Sequence, residues 1–451
     1  MEHTETLRAL GLFDARVPRY TSYPTAAAFS PDTGASFQRH ALEQLDPSEP
    51  VSVYMHIPFC ERLCWFCACH TQGTKTLGPV ESYIEALEAE LEMVRAIIPN
   101  GLKMGRLHWG GGTPTILPPE LIHRLSESIR RVFPPAQEFE FSVEIDPTMV
   151  DRAKIEALAS EGMNRASIGI QDFDPEVQKA IGRLQPFETT RACVEDLRAA
   201  GIASLNTDLV YGLPHQSLAR IEDTIEKVLT FTPDRVALFG YAHVPWVSKR
   251  QKLIDEAALP DDLSRYHLAT RAGELFVAAG LTAIGIDHFA RPDDTLTASL
   301  EAGRLRRNFQ GYTTDTCSTL IGLGASSISR FSEGYVQNAP ATAAYQQRIA
   351  TGVFPGARGY QLSPEDQLRA RAIEELMCRF AVDLDDLSQE FGTDAQKLLP
   401  CLTEMATRFA PFARLTGKRI AIAPEGRPLT RMIASVFDQH VPEGVRYSRA
   451  S

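Results

Sequence analysis

With 451 residues, 44% hydrophobic and 23% charged, the chain can bury a large core and has the composition of a soluble globular protein. A net charge of −11 argues against a nucleic-acid partner while leaving room for a local basic pocket. Eight cysteines, four of them clustered, are not the pattern of a disulfide scaffold in so long a chain. The start, MEHTETLRALG, lacks the basic head and apolar core of a secretory signal, and no apolar run is long enough to span a bilayer. These features predict a reduced, cytoplasmic protein with no membrane partner.

Residues 1–50 read as loop-rich. Arg19-Tyr-Thr-Ser-Tyr-Pro-Thr25, with Pro18 and Pro24 beside its tyrosines, predicts an ordered, extended strap. The strap either packs or covers a site, and composition alone favours packing. A β–α alternation starts at residue 51. The β-branched and aromatic run Val51–Ile57 is a buried strand that Pro58 ends, and Cys60, Cys64, Cys67 and Cys69 follow on the next loop. An apolar stripe predicts a helix over 80–98. Arg106–Trp109 is a strand running into Gly110-Gly-Gly-Thr-Pro-Thr115, and 119–133 is a helix with Leu121, Leu125, Ile129 and Val132 on one face. Phe139–Ile145 alternates as a strand. Gly162, Gly201 and Gly280 each close a helix and lead into a strand.

Strands near 52, 106, 141, 167, 206, 237 and 284, separated by helices, predict an α/β fold: an incomplete (β/α)6-type parallel barrel with its site at the strand C-termini. Beyond 290 the pattern changes. Residues 301–335 read as irregular, 340–350 as helical and Gly352–Gly359 as a linker. Helices at 363–378, 383–391, 394–409 and 428–440, with a hairpin at 411–423, predict a small, mainly helical, winged-helix-like unit. The domains expected are therefore a strap (1–50), a partial barrel with an extension (51–350) and a C-terminal unit (360–451).

The C-x3-C-x2-C spacing of Cys60, Cys64 and Cys67 suits three thiolates holding an iron–sulfur cube with one iron left open. Zinc is the rival, but no second C-x2-C or H-x3-H supplies the other ligand pair of a structural site. Buried, reduced core thiols are the plain alternative. Polar or glycine-rich residues recur at the predicted strand ends: Gly111, Gly112 and Thr113; Glu144; Gln171 and Asp172; Asp208; Tyr241 and His243; Asp287 and His288. Bare backbone at the glycines can approach a ligand, and Glu144 suits a ribose diol. Arg183 and the group Arg304, Arg306 and Arg307, just before Gln310, suit carboxylates or phosphates. A solvated arginine face explains Arg304 and Arg306 equally well.

The form C-x3-C-x-F-C-x-C after Tyr54-Met-His-Ile-Pro-Phe resembles the oxygen-independent coproporphyrinogen III oxidases of the radical S-adenosylmethionine superfamily. So do the RYTSYPT strap, His108-Trp-Gly-Gly-Gly-Thr-Pro-Thr115, Asp208-Leu-Val-Tyr-Gly-Leu-Pro214 and Asn308-Phe-Gln-Gly-Tyr-Thr-Thr314. Departures are small: Trp65 stands where tyrosine is common, and Arg183 lies in GRLQ rather than NREQ. A related haem-chaperone branch shares the scaffold but typically lacks the strap and the cysteine at 69, both present here.

The resemblance implies that Cys60, Cys64 and Cys67 bind a [4Fe-4S] cluster, and that Tyr54, Phe66, Gly111, Glu144 and Ile328 contact one S-adenosylmethionine. It implies a second S-adenosylmethionine at Gly112, Thr113, Gln171, Arg183, Asp208 and Ala242, with Cys69 and Gln310 nearby. Tyr54, Cys69 and Gln310 are the catalytic candidates. The implied reaction is radical oxidative decarboxylation of two propionates of coproporphyrinogen III to vinyls, giving protoporphyrinogen IX. An electron donor such as a flavodoxin or ferredoxin is implied, and a monomer is expected. Haem binding by a chaperone on the same scaffold is the alternative.

Overall fold

The computed structural model describes residues 2–441, 444 and 447–449. Val51–Ile57 lies inside a twelve-stranded sheet. From it, five strands follow in parallel: Met104–Gly111, Pro135–Ile145, Arg165–Gln171, Ser204–Tyr211 and Arg235–Gly240. These are the six parallel strands of the expected (β/α)6 barrel. Helices between them bury one face each. Gly78–Arg95 packs with Val80, Ile84, Leu87, Leu91 and Val94, and Pro119–Val132 with Leu121, Leu125, Ile129 and Val132. Gly162, Gly201 and Gly280 sit at left-handed φ values of 88°, 84° and 92°.

The strand expected near 284, Thr282–Ile284, runs in the barrel direction but does not lie beside Arg235–Gly240, because His288–Ala290 stands between them, antiparallel to both. Thr282–Ile284 and His288–Ala290 form an antiparallel hairpin on the free edge of Arg235–Gly240. The link between them is too short for a crossover helix, so only an antiparallel return is available. Gly285 makes the reversal at φ 57°, and a Cβ there would run into the Tyr312 ring.

On the other edge, residues read as irregular or as linker are strands. Leu320–Leu323 runs parallel beside Val51–Ile57, followed by antiparallel Ile328–Phe331, Gly334–Asn338 and Gly356–Gln361. Arg306–Asn308 and Gly311–Thr313 form a separate ribbon. Glycines that looked like linker punctuation stand where another backbone passes close. A Cβ on Gly359 would strike the Tyr335 carbonyl and lie 2.8 Å from that of Thr33.

The first fifty residues hold two helices, Glu2–Ala9 and Ala35–Glu43, as well as the strap. Leu7, Leu12, Phe13, Tyr20 and Tyr23 share a core with Leu368, Leu376, Leu402, Met405 and Ile433. The strap is thus part of the C-terminal core. That unit has helices Pro364–Arg379, Leu384–Phe391 and Leu399–Arg408 around the antiparallel strands Ala381–Asp383, Arg419–Ile422 and Ala413–Thr416, a winged-helix-like arrangement. Its last expected helix is broken into short turns over 424–437, with Pro428 inside the first. Among the described residues no helix is long and apolar enough to cross a membrane.

Glu90 ties the first helix of the barrel to the extension. It is fully buried and accepts from the Gly324 N–H (2.8 Å), Asn338 Nδ2 (2.9 Å) and the Tyr345 hydroxyl (2.6 Å). Burial pushes its carboxyl up to about 7, against the pull of these donors. A folded-state value above the unfolded one favours the fold at low pH, and the benefit fades as pH rises towards 7. The stability of the wild type relative to Glu90→Gln should therefore fall by about 1–3 kcal/mol between pH 5 and pH 8. Denaturant unfolding of both proteins at several pH values checks this, and a difference independent of pH would refute it.

Candidate active site at the strand ends

The ladder between the first two barrel strands does not stop with the sheet. Gly112 N–H donates to the Ile57 carbonyl and Thr113 N–H to that of Phe59, both at 2.8 Å. The cysteine loop is thereby fastened to the glycine loop. Gly112 must lack a side chain, because a Cβ would lie 2.5 Å from the Phe59 carbonyl oxygen. The loop is held from its other side too. Trp65 N–H donates to Ile181 O (2.9 Å), Ser248 Oγ to Cys67 O (2.9 Å) and Arg250 Nη2 to Cys69 O (3.1 Å). Gln251 Nε2 bridges the carbonyls of Phe66 and Ala242 at 2.7 and 3.1 Å.

This framework gives each thiol a polar neighbour. Thr113 Oγ1 lies 3.6 Å from Cys60 Sγ, Arg183 Nη1 3.5 Å from Cys64 Sγ, and the Cys69 N–H donates to Cys67 Sγ at 3.4 Å. Hydrogen bonding from Cys69, aided by Arg250 and Arg183, overcomes burial and brings the Cys67 thiol down to about 6. Burial pushes Cys60 up to about 11, and the Cys67 hydrogen bond and charge hold Cys69 well above the usual thiol range. Cys60, Cys64 and Cys67 are all free thiols. Among the described residues no three Cys, His, Asp or Glu side chains converge as they would around a single ion. A cube of irons and sulfides instead needs thiolates spread around it, and these three, on one loop, fit that group.

Beside the loop, Tyr54 and His108 stack with ring centroids 5.7 Å apart. His56 Nε2 is 3.0 Å from the His70 carbonyl, which can only accept, so the proton sits on Nε2. Burial lowers the pKa of His56 and keeps it neutral, leaving Nδ1 to accept from the Tyr54 hydroxyl at 3.0 Å. Glu144 accepts from the Gly111 N–H (3.1 Å) and faces His108 Nε2 (3.3 Å). Burial alone would raise its carboxyl, but these partners hold it below the usual range, so it is ionised. Its side chain is still 40% exposed and open to a ligand.

Further along the strand ends, Gln171 has a left-handed φ of 70° and lies near Gly169, with Arg183 beside it. The sequence suits Arg183 to a carboxylate or phosphate, and the resemblance sets it beside a second S-adenosylmethionine. Here it is buried and fully engaged, with Asp146 at 3.0 Å, Gly169 O at 2.8 Å and Gln185 Oε1 at 3.1 Å. Asp208 accepts from Ser167 Oγ and Asn206 Nδ2, both at 2.8 Å, and burial raises its pKa. Ile328 opens a strand of the extension. Gln310 is exposed at the turn of the 306–313 ribbon, and its neighbour Gly311 abuts His288 rather than the cysteine loop. Arg306 pairs with Glu374 (2.7 Å), whereas Arg307 is buried.

Sequence reasoning missed His56 and the brace Ser248-Lys-Arg-Gln251. The brace lies in a loop with no periodicity, and only its polar side chains mark it.

Residues 54–228 match the model of the Radical SAM superfamily, and residues 362–429 match the HemN C-terminal domain. The oxygen-independent coproporphyrinogen III oxidase of Cereibacter sphaeroides (strain ATCC 17025) is 60% identical over the whole of both chains. That of Paracoccus denitrificans is 53% identical over 97% of each. The solved structure of coproporphyrinogen III oxidase (HemN) from Escherichia coli, described as a Radical SAM enzyme, matches with a TM-score of 0.88 at 35% identity, over 95% of this chain and 100% of that one. The chain therefore belongs to the radical S-adenosylmethionine superfamily and, within it, to the oxygen-independent coproporphyrinogen III oxidase family.

Gly112→Ala tests the stitched loop. The clash is with backbone, so the loops must part. We expect a loss of about 1–3 kcal/mol in stability and of most bound iron and sulfide after anaerobic reconstitution. Full cluster content in this variant would show that the close approach is not required.

Proposed function

We propose that this chain carries out the reaction for which its relatives are named, oxidising coproporphyrinogen III without oxygen. What carries the reading is the cysteine loop fastened to a side-chain-free glycine loop at the barrel mouth, in a chain 60% identical to such an oxidase from end to end. Each reacting propionate loses one hydrogen atom, CO2 and one electron, and becomes a vinyl group. Two such events give protoporphyrinogen IX. When bound, the [4Fe-4S] cluster and S-adenosylmethionine supply the one-electron chemistry for abstracting hydrogen from carbon.

The protein's part is placement. Cys60, Cys64 and Cys67 would hold the cluster. Glu144, ionised and open, would accept from the ribose hydroxyls of one S-adenosylmethionine, beside Tyr54, Phe66, Gly111 and Ile328. Gly112, Thr113, Gln171, Arg183, Asp208 and Ala242 would line the place of a second. In this reading Arg183 fixes the cysteine loop and the Gly169 backbone rather than a propionate. Tyr54 keeps its hydroxyl proton directed to His56 Nδ1. Cys69 and Gln310 remain catalytic candidates, on the cysteine loop and at the ribbon turn. Strap (1–50), barrel with extension (51–350) and C-terminal unit (360–451) would together close the site against water. The electron donor we expect is a small carrier of the flavodoxin or ferredoxin class, and the working form a cytoplasmic monomer. The haem-chaperone alternative is disfavoured by Cys69, the strap and the family.

The test is anaerobic turnover of reconstituted protein with reductant, S-adenosylmethionine and coproporphyrinogen III. Mass spectrometry should show the loss of two carboxyl groups per substrate, with 5′-deoxyadenosine formed alongside. Cys64→Ala should lose the cluster and reduce turnover at least 1000-fold. Intact substrate with stable haem binding would sink the reading.

A further inference from the structure

A cavity of about 320 Å³ lies between the barrel ends at Tyr211 and Gly240, the hairpin residue Asp287, the strap and the C-terminal unit. Arg19, Arg265, Arg307 and Arg431 all line it, in a chain whose net charge is −11. Arg19 Nη2 donates to Gly240 O at 2.8 Å, and Arg265 Nη2 to Tyr241 O at 2.9 Å. Both therefore meet backbone carbonyls, and Asp287 acts on Arg19 as an opposite charge. Arg307 is 4% exposed in its side chain, lies over the Tyr312 ring at 4.5 Å, and has no hydrogen-bond partner at Nε or Nη1. Arg265 and Arg307 act on Arg19 as like charges, against the opposite charge of Asp287.

Among these cations stands one carboxylate of the described cavity wall, Asp287. It lies 3.6 Å from Arg307 Nη1 and 2.7 Å from His288 Nδ1. Burial alone would raise its pKa, but Arg307, His288 and Arg19 hold it well below the ordinary carboxylate range. It is an acceptor that stays charged.

The ligand chemistry follows from this pairing. A simple polyanion would meet the guanidinium groups but be repelled by Asp287, and a simple amine would meet the reverse. The wall suits a molecule with N–H donors at its centre and carboxylates on its rim. Coproporphyrinogen has both. Its saturated meso carbons let the four pyrrole N–H groups tilt towards one face, and its four propionates surround them. The flat, oxidised porphyrin has only two inner N–H groups, held in the ring plane. We propose that Asp287 accepts the pyrrole N–H groups of the porphyrinogen, while Arg19 and Arg307 receive propionates that are not decarboxylated. The proposal rests on the function given above, and it makes Asp287 a selector for the reduced macrocycle.

The test is anaerobic binding to the reconstituted holoenzyme with S-adenosylmethionine, comparing coproporphyrinogen III with coproporphyrin III. Iron content and thermal unfolding equal to the wild type certify each variant. Asp287→Asn should weaken porphyrinogen binding about tenfold or more and change porphyrin binding less than twofold, because a charged hydrogen-bond acceptor is lost. Arg19→Gln should weaken both ligands about equally. Unchanged porphyrinogen affinity in Asp287→Asn, or equal weakening of both ligands by it, overturns the proposal. If Asp287→Asn does not retain its cluster, Arg19→Gln decides, and unchanged binding there overturns it as well. Wild-type protein that turns over coproporphyrinogen while these variants behave like it defeats the proposal alone. Wild-type protein without turnover defeats the underlying function and the proposal together.

Discussion

The structure depends on two backbone hydrogen bonds made beyond the end of the sheet, from Gly112 and Thr113 to the carbonyls of Ile57 and Phe59. Parallel strands normally diverge into loops at their C-termini, where side chains and connections compete for space. Here the pairing continues into the loops, because Gly110, Gly111 and Gly112 offer no Cβ to keep them apart. A Cβ on Gly110 would lie 2.7 Å from Glu144 Oε1, and one on Gly111 2.6 Å from the His56 ring. Three consecutive bare positions therefore bring the cysteine loop, Glu144 and His56 together. Ser248, Arg250 and Gln251 then hold the loop's carbonyls from the far side, so its thiols are placed by backbone geometry rather than by one another.

Charge is handled differently on the two sides of the barrel mouth. Near the thiols Arg183 is paired with Asp146, and Glu144 meets the Gly111 N–H and the His108 ring. Such pairing offsets the desolvation of each charge and leaves little net field. At Asp287 several arginines share one carboxylate of the described cavity wall. Arg19 and Arg265 spend their donors on carbonyls, and buried nitrogens of Arg307 stay without hydrogen bonds.

The parts legible in the sequence are those with a period. Glu144 and Gln171 were visible because they stand at the ends of strand patterns, and the helices because their apolar stripes recur, whereas Asp208 lies within its strand and Asp287 in a hairpin turn. The antiparallel extension was hidden by Gly334, Gly356 and Gly359. Glycine reads as punctuation whether it permits a turn or makes way for a neighbouring carbonyl. The antiparallel return that parts the strand at 284 from the barrel turned on the length of one link rather than on composition. Arg183 and Arg307 read alike as anion receptors. Only the structure separates them: Arg183 lies 3.0 Å from Asp146, whereas Arg307 lies 3.6 Å from Asp287 and over the Tyr312 ring.

The strap shows why its two possible roles were not alternatives. Tyr20 and Tyr23 are buried in the C-terminal core, where the Tyr20 hydroxyl donates to Asp438 at 3.0 Å and the Gln439 N–H to the Tyr23 hydroxyl at 3.1 Å. Arg431 of that core donates in turn to the carbonyl of Pro18 at 3.0 Å. Arg19, between these anchors, points the other way and bonds to Gly240 at the barrel end. Packing thus fixes the backbone on either side of one residue whose side chain faces the cavity. Moving the strap as a lid would expose tyrosines that the C-terminal unit needs for its own core. A displacement of the strap alone would therefore uncover part of the C-terminal core.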